Sequence, residues 1–222
     1  YGYEEAQAMI DGGDGDFKDE ILVLNGLATK LREERFKKGA IAFHSQEVKF
    51  ILDEKGKPVD TYIKEQKEAN MLIEDFMLLA NKKVAEKIGK KAGEQKAKTF
   101  VYRIHDEPNQ EKLMKFVEFL SKLGYKMNIG SRKGLASSFN HLFDQIAGKG
   151  EENMIESIAI RTMAKAIYST VNIGHYGLAF QHYTHFTSPI RRYPDLMVHR
   201  LLEWYMEGRG SVNKDEYEEY CM

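Results

Sequence analysis

The stretch Glu47-Val48-Lys49-Phe50-Ile51-Leu52-Asp53-Glu54-Lys55-Gly56-Lys57-Pro58-Val59-Asp60-Thr61-Tyr62-Ile63 decides the fold class. Apolar β-formers lie on either side of a polar segment that holds a glycine and a proline. That pattern reads as an antiparallel hairpin turning over residues 53–58. Ile41 and Phe43, with Val48, Phe50 and Leu52, read as strand. Working outward, the period changes from two to helical on both sides. Phe17 to Lys38 places Phe17, Ile21, Leu24, Ala28 and Leu31 on one face, and Gly39 suits a helix stop. Residues 67–91 place Leu72, Ile73, Phe76, Ala80, Val84 and Ile88 on one face. A hairpin set between long helices gives an α+β class, mostly helical with a small antiparallel β portion.

The rest of the chain follows that reading. Residues 3–10 form a short helix and Asp11–Asp16 a break. Phe100–Ile104 is a short strand, Glu111–Leu123 a helix stopped by Gly124, and Leu135–Ala147 another. Glu151–Tyr168 reads as one helix with Ile155, Ile158, Ala159, Thr162, Met163 and Ala166 facing in. Residues 172–193 form a loop rich in His, Gly and aromatics, and a helix starts at Pro194.

Composition narrows the function classes. The chain has 222 residues, 33 basic and 34 acidic, for a formal charge of −1. A 42% hydrophobic and 11% aromatic content excludes a disordered chain. Apolar runs stay well short of the roughly 18 residues of a membrane span, so no membrane partner is expected. One cysteine, Cys221, excludes a disulfide framework and favours a reducing, cytoplasmic setting. Without an initiator Met, and with helix-like sequence still running at Glu219-Tyr220, the chain reads as a piece of a longer polypeptide.

Four groups of residues could carry chemistry. Asp11, Asp14, Asp16 and Asp19 could bind a divalent cation. Counting from Asp14, however, an EF-hand would need Gly at Asp19 and Glu at Asn25, so the group reads as a solvated acidic turn. His175, His182, His185 and His199 match no zinc spacing and read as packing histidines. Lys82, Lys83, Lys87, Lys90, Lys91, Lys96 and Lys98 could neutralise phosphates, but such a run is more often a solvated face.

The fourth group is hard to read as core: His182-Tyr183-Thr184-His185-Phe186-Thr187-Ser188-Pro189-Ile190-Arg191-Arg192-Tyr193-Pro194-Asp195-Leu196. Pro194 fits the first turn of a helix. Arg191 and Arg192 precede that turn, where free N–H groups also favour anions. A guanidinium offers a bidentate fork to phosphate, and neighbouring aromatics can stack on bases. The competing reading is a surface loop with its arginines tied to carboxylates.

The run Thr187–Asp195 resembles the signature loop of the RNB family, the ribonuclease II and ribonuclease R exoribonucleases, with details closer to ribonuclease R. Gly39–Phe43 with Glu47–Phe50, Asn70–Asn81, Arg103–Pro108 and Gly174–Ala179 fit the same family in the same order. The resemblance implies a processive, Mg²⁺-dependent 3′-to-5′ exoribonuclease acting on the 3′ end of single-stranded RNA, releasing nucleoside 5′-monophosphates without a small-molecule cofactor. It implies that residues 1–222 are part of the catalytic domain. The aspartate cluster that holds the metals would lie upstream and the flanking oligonucleotide-binding modules would lie outside the chain, so no metal ligand is expected here and the piece alone should be inactive. Carried over by position, Arg191 is the catalytic arginine at the scissile phosphate, with Arg192 the neighbour that could replace it. Tyr3 and Phe43 contact the 3′-terminal nucleotides, and Glu74 holds the end of the RNA. The alternative is an RNB-like protein that binds RNA without cleaving it.

Overall fold

The structure, a computed structural model, describes residues 1–42, 47–64, 66–90 and 97–221. It divides into two compact units: residues 1–32 with 43–76, and residues 33–42 with 77–222. Phe43, Lys91 and Lys96 lie outside the described residues.

In the first unit, α1 (Tyr3–Ile10) begins after Gly2, whose N–H donates to the Glu5 carboxylate at 2.6 Å. Helix α2 (Lys18–Lys37) follows the break at residues 11–16. The apolar face read from its period is only partly buried: Ala28 is fully buried, whereas Phe17 and Leu24 are exposed. What α2 offers within this unit is ionic. Arg32 Nη2 lies 2.7 Å from Glu68 Oε2, and Arg32 Nε lies 3.2 Å from the buried Asp75 carboxylate. Both carboxylates belong to α3 (Glu68–Gly89), on which Ala69, Leu72 and Asp75 are buried and Ile73 is exposed. The period located the helix, but its buried face includes the Asp75 carboxylate, paired with Arg32, which the apolar pattern does not mark.

The hairpin forms as read. Strands β1 (Glu47–Leu52) and β2 (Pro58–Lys64) pair antiparallel, Val48 opposite Ile63 and Phe50 opposite Thr61, with an irregularity between Ile51 and Leu52. Asp53 builds the turn by accepting the N–H groups of Lys55 and Lys57, each at 2.9 Å. Gly56 supplies the left-handed backbone, φ +77°, that a side chain would strain.

The second unit is organised on a two-stranded sheet, β3 (Tyr102–Ile104) antiparallel to β4 (Ile167–Ser169), with Arg103 opposite Tyr168. Strand β4 corrects the single helix expected over Glu151–Tyr168. Around it stand α4 (Gln110–Lys122), α5 (Arg132–Ile146) and α6 (Glu152–Thr162). Helix α6 stops at Thr162, whose hydroxyl donates to Ala159 O and whose carbonyl accepts the Asn109 N–H. The β-branched and aromatic Ile167-Tyr168 then pairs with β3, a partner 60-odd residues back that no local period reveals. Phe116 and Phe139 stack at 6.1 Å and join Leu120, Leu142, Ile146 and Ile155 in one buried layer. A second layer joins Phe100, Val101, Tyr102 and Ile104 to Met197, Val198, Leu201 and Tyr205 of α7 (Tyr193–Met206). Helix α8 (Lys214–Glu219) closes this sheet: Glu218 accepts from Ser169 Oγ at 2.8 Å and from the Thr170 N–H at 2.6 Å. No described helix is long and apolar enough to cross a membrane.

Ile41 is not in a strand. Its N–H donates to Gly177 O at 2.9 Å, while Asn140 brackets it by accepting the Ala42 N–H and donating to Ala40 O.

Candidate nucleic-acid site

The segment 182–192 has no regular secondary structure, yet six of its residues, Tyr183 to Phe186, Ser188 and Arg192, are fastened to the rest of the unit. Tyr183 is buried, and its hydroxyl accepts from Asn81 Nδ2 at 3.2 Å. The same Asn81, itself buried on α3, accepts the Phe186 N–H at 2.9 Å. Thr184 is wholly buried and donates to Val101 O at 2.7 Å, and the Arg103 N–H donates to Tyr183 O. His185 Nδ1 pairs with the Tyr168 hydroxyl at 2.7 Å. The Phe186 ring stacks on His199 at 4.1 Å, and its carbonyl meets His199 Nε2 at 2.8 Å. An amide with a donor and an acceptor, such as Asn81, can hold two points of a loop at once.

These histidines are therefore structural. Burial first, then the nearby Arg192, pushes His185 down to about 4. Burial, then His105 and Arg103, pushes His175 down to about 3. Both stay neutral at physiological pH and act as hydrogen-bonding rings. Among the described residues no three His, Cys, Asp or Glu side chains stand close enough to hold a metal ion. Asp11, Asp14, Asp16 and Asp19 are exposed in a solvated turn, with Asp14 paired to Lys18 at 3.0 Å. The described residues do not fit a Mg²⁺ centre.

The two arginines part company at the start of α7. Arg192 is the N-cap, and its Nη2 donates to Asp195 Oδ1 at 2.8 Å. Asp195 is fully buried, and the same oxygen accepts the Ser188 N–H at 2.8 Å. One carboxylate thus ties the helix start to the loop. Pro194 falls in the first turn, where its missing N–H costs nothing. Arg192 therefore follows the carboxylate-tied reading. Arg191 does not: it is exposed, its one polar side-chain contact among the described residues is a long 3.4 Å approach to Ser188 Oγ, and its neighbour Ile190 is 99% exposed. The loop is held at its flanks and presents Arg191 at its tip.

The other positions lie in the first unit. Tyr3 is the first residue of α1 and is half exposed. Glu74 is exposed on α3 and accepts from Gln66 Nε2 at 2.6 Å. Phe43 lies outside the described residues. Of the lysine run, Lys83 and Lys90 pair with Glu86 at 3.6 and 3.2 Å. Sequence reading quoted Asp195 and Asn81 without giving either a role. The available signal was spacing: Asp195 stands three residues after Arg192, one helical turn away.

The family model described as "RNB domain" matches residues 1–208, and the chain belongs to that family. Ribonuclease R of Thermotoga maritima is 43% identical over 205 residues, which are 92% of this chain and 28% of that protein. Ribonuclease R of Aquifex aeolicus is 37% identical over 212 residues, 93% of this chain and 29% of that one. The chain thus spans under a third of the length of these relatives. A solved structure of Mycoplasma genitalium RNase R with ribose-methylated single-stranded RNA matches 99% of this chain and 35% of its own, at 25% identity and a TM-score of 0.79. The yeast pseudonuclease Ssd1 shares the fold, with a TM-score of 0.71 at 24% identity.

Proposed function

We propose that this chain is the RNA-end-handling part of an exoribonuclease catalytic domain. In this reading the whole protein hydrolyses single-stranded RNA from the 3′ end with Mg²⁺ and releases nucleoside 5′-monophosphates. The observation that carries it is the exposed Arg191 at the tip of a loop fastened at its flanks. Phosphodiester hydrolysis piles negative charge on the phosphoryl oxygens, and a guanidinium carried at a loop tip can reach and stabilise that charge. Tyr3 and Phe43 stack on the terminal bases, which suits a sequence-tolerant degrader because every base has a π-face. Glu74 accepts hydrogen bonds from ribose hydroxyls, the groups that separate RNA from DNA. The metal would activate water and steady the leaving oxygen. Its ligands belong outside the residues described, and none of the roles above passes through it.

The rival reading is RNA binding without cleavage. A pseudonuclease shares this fold, and fold alone does not imply activity. The experiment is to incubate the full-length protein with 5′-labelled single-stranded RNA and Mg²⁺. Stepwise shortening from the 3′ end, blocked by a 3′-terminal phosphate, is expected. Binding with no shortening would establish the rival. The 222-residue chain alone should leave the same RNA intact.

A further inference from the structure

A cleft of about 740 Å³ opens on the second unit, between the end of α2, the middle of α3, the start of α5 and residues 172–181. Its size falls in the roughly 300–1,000 Å³ range of ligand sites. Four cations line it, Lys38, Lys82, Arg132 and Lys133, against one carboxylate, Glu86. That carboxylate is already engaged by Lys83 and Lys90 of its own helix. Lys38 is tied to Glu34 at 2.7 Å, and Arg132 lies over the Tyr176 ring at 5.2 Å. Lys82 and Lys133 are in no ion pair among the described residues, and Lys82 lies over the Phe180 ring at 5.3 Å. The wall that carries Phe180 is stiff. Asn172 donates to Gln181 O at 2.9 Å and accepts the Gly174 N–H at 2.9 Å. Gly174, at φ +81°, lets the two arms of the loop close: a Cβ there would stand 2.9 Å from Phe180 O.

Unpaired cations around a fixed aromatic ring, in a concave surface, are the parts of a single-strand binding groove. We propose that this cleft is a second nucleic-acid contact, in which Lys82 and Lys133 neutralise backbone phosphates and Phe180 offers a face for one base. It is separate from the role given to Arg191, and it rests on the exoribonuclease reading only for the choice of RNA as probe.

The test uses the 222-residue chain and a fluorescent single-stranded RNA 12-mer, with anisotropy read from low to high salt. K82Q/K133Q replaces partly or fully exposed side chains and should keep the wild-type circular dichroism spectrum and Tm. The slope of log K against log salt should flatten by about 1.4, at about 0.7 per lost phosphate contact. If the curves meet near 1 M salt, that slope gives an affinity about 10–30-fold weaker at 0.1 M. Phe180→Leu should weaken binding about tenfold with the slope unchanged. Unchanged affinity and slope in K82Q/K133Q overturn the proposal, as does a wild-type chain that does not bind the RNA. A polyglutamate peptide of equal charge that binds as tightly as the RNA overturns the nucleic-acid assignment. The exoribonuclease reading is decided separately, by hydrolysis in the full-length protein, so the two can fail independently.

Discussion

The hairpin 47–64 and the loop 182–192 invert the usual expectation about order. The hairpin is an antiparallel ladder interrupted between Ile51 and Leu52, yet Val48, Phe50, Ile51, Val59, Tyr62 and Ile63 are all exposed. The loop has no ladder, yet Tyr183 and Thr184 are buried and its fastenings run to several separate parts of the unit: Asn81 of α3, Val101, Tyr168 of β4, and His199 and Asp195 of α7. Backbone regularity is a local property, whereas rigidity at a site comes from long-range partners. A loop fastened this way can aim one side chain as well as a helix can, and here that side chain is Arg191. The hairpin has a regular shape while its large apolar side chains stay exposed.

The sharpest way to break this comparison is to cut the loop's strongest tie. Asp195→Ala leaves the Ser188 N–H and the Arg192 guanidinium without their buried acceptor. Removing one partner of such a pair typically costs about 3 kcal/mol or more. Urea unfolding should show a loss of that order, while Asp195→Asn, which keeps an acceptor oxygen, should lose much less. Equal losses would mean that the carboxylate packs rather than ties.

A middle-sized effect is expected from pH. His175 and His185 titrate far below the ordinary histidine value when folded, so the unfolded chain binds protons first. Stability should therefore fall as pH drops below about 6.5, and continue falling towards their folded values of about 3 and 4. A Tm series from pH 7.5 to 5 reads this directly, and His185→Gln should flatten the curve. A Tm that rises on acidification would contradict the buried, neutral histidines.

The smallest effect belongs to the hairpin. Phe50 is 61% exposed, so Phe50→Ser should change stability by no more than about 0.5 kcal/mol. A loss comparable to Asp195→Ala would erase the contrast between the two regions.

How much of this was legible follows the same division. The hairpin, α3 and the Pro194 start of α7 could be read because their signals are local: turn residues, period and a fixed φ. The segment Thr187–Asp195 stood out in the sequence because its residue types resist any reading as core. Strand β4 was not, because Ile158, Thr162 and Ala166 continue a helical spacing across the point where Thr162 ends the helix. The buried Asp75, Asn81 and Asp195 were not singled out either. Their burial depends on Arg32, on Tyr183 with Phe186, and on Ser188 with Arg192. For the first two, sequence distance hides those partners.

The proposed function rests on a division of labour between two adjacent arginines: Arg192 tied into the fold by Asp195, and Arg191 proposed to meet the scissile phosphate. The most direct test is single-turnover cleavage by the full-length protein at saturating RNA. Arg191→Ala should fold normally and cleave about 10²–10³-fold more slowly, the usual cost of one lost electrostatic donor. Arg192→Ala should lower Tm, with a much smaller effect on the saturated rate. A parental rate for Arg191→Ala, or the large rate loss appearing at Arg192 instead, would contradict the assignment.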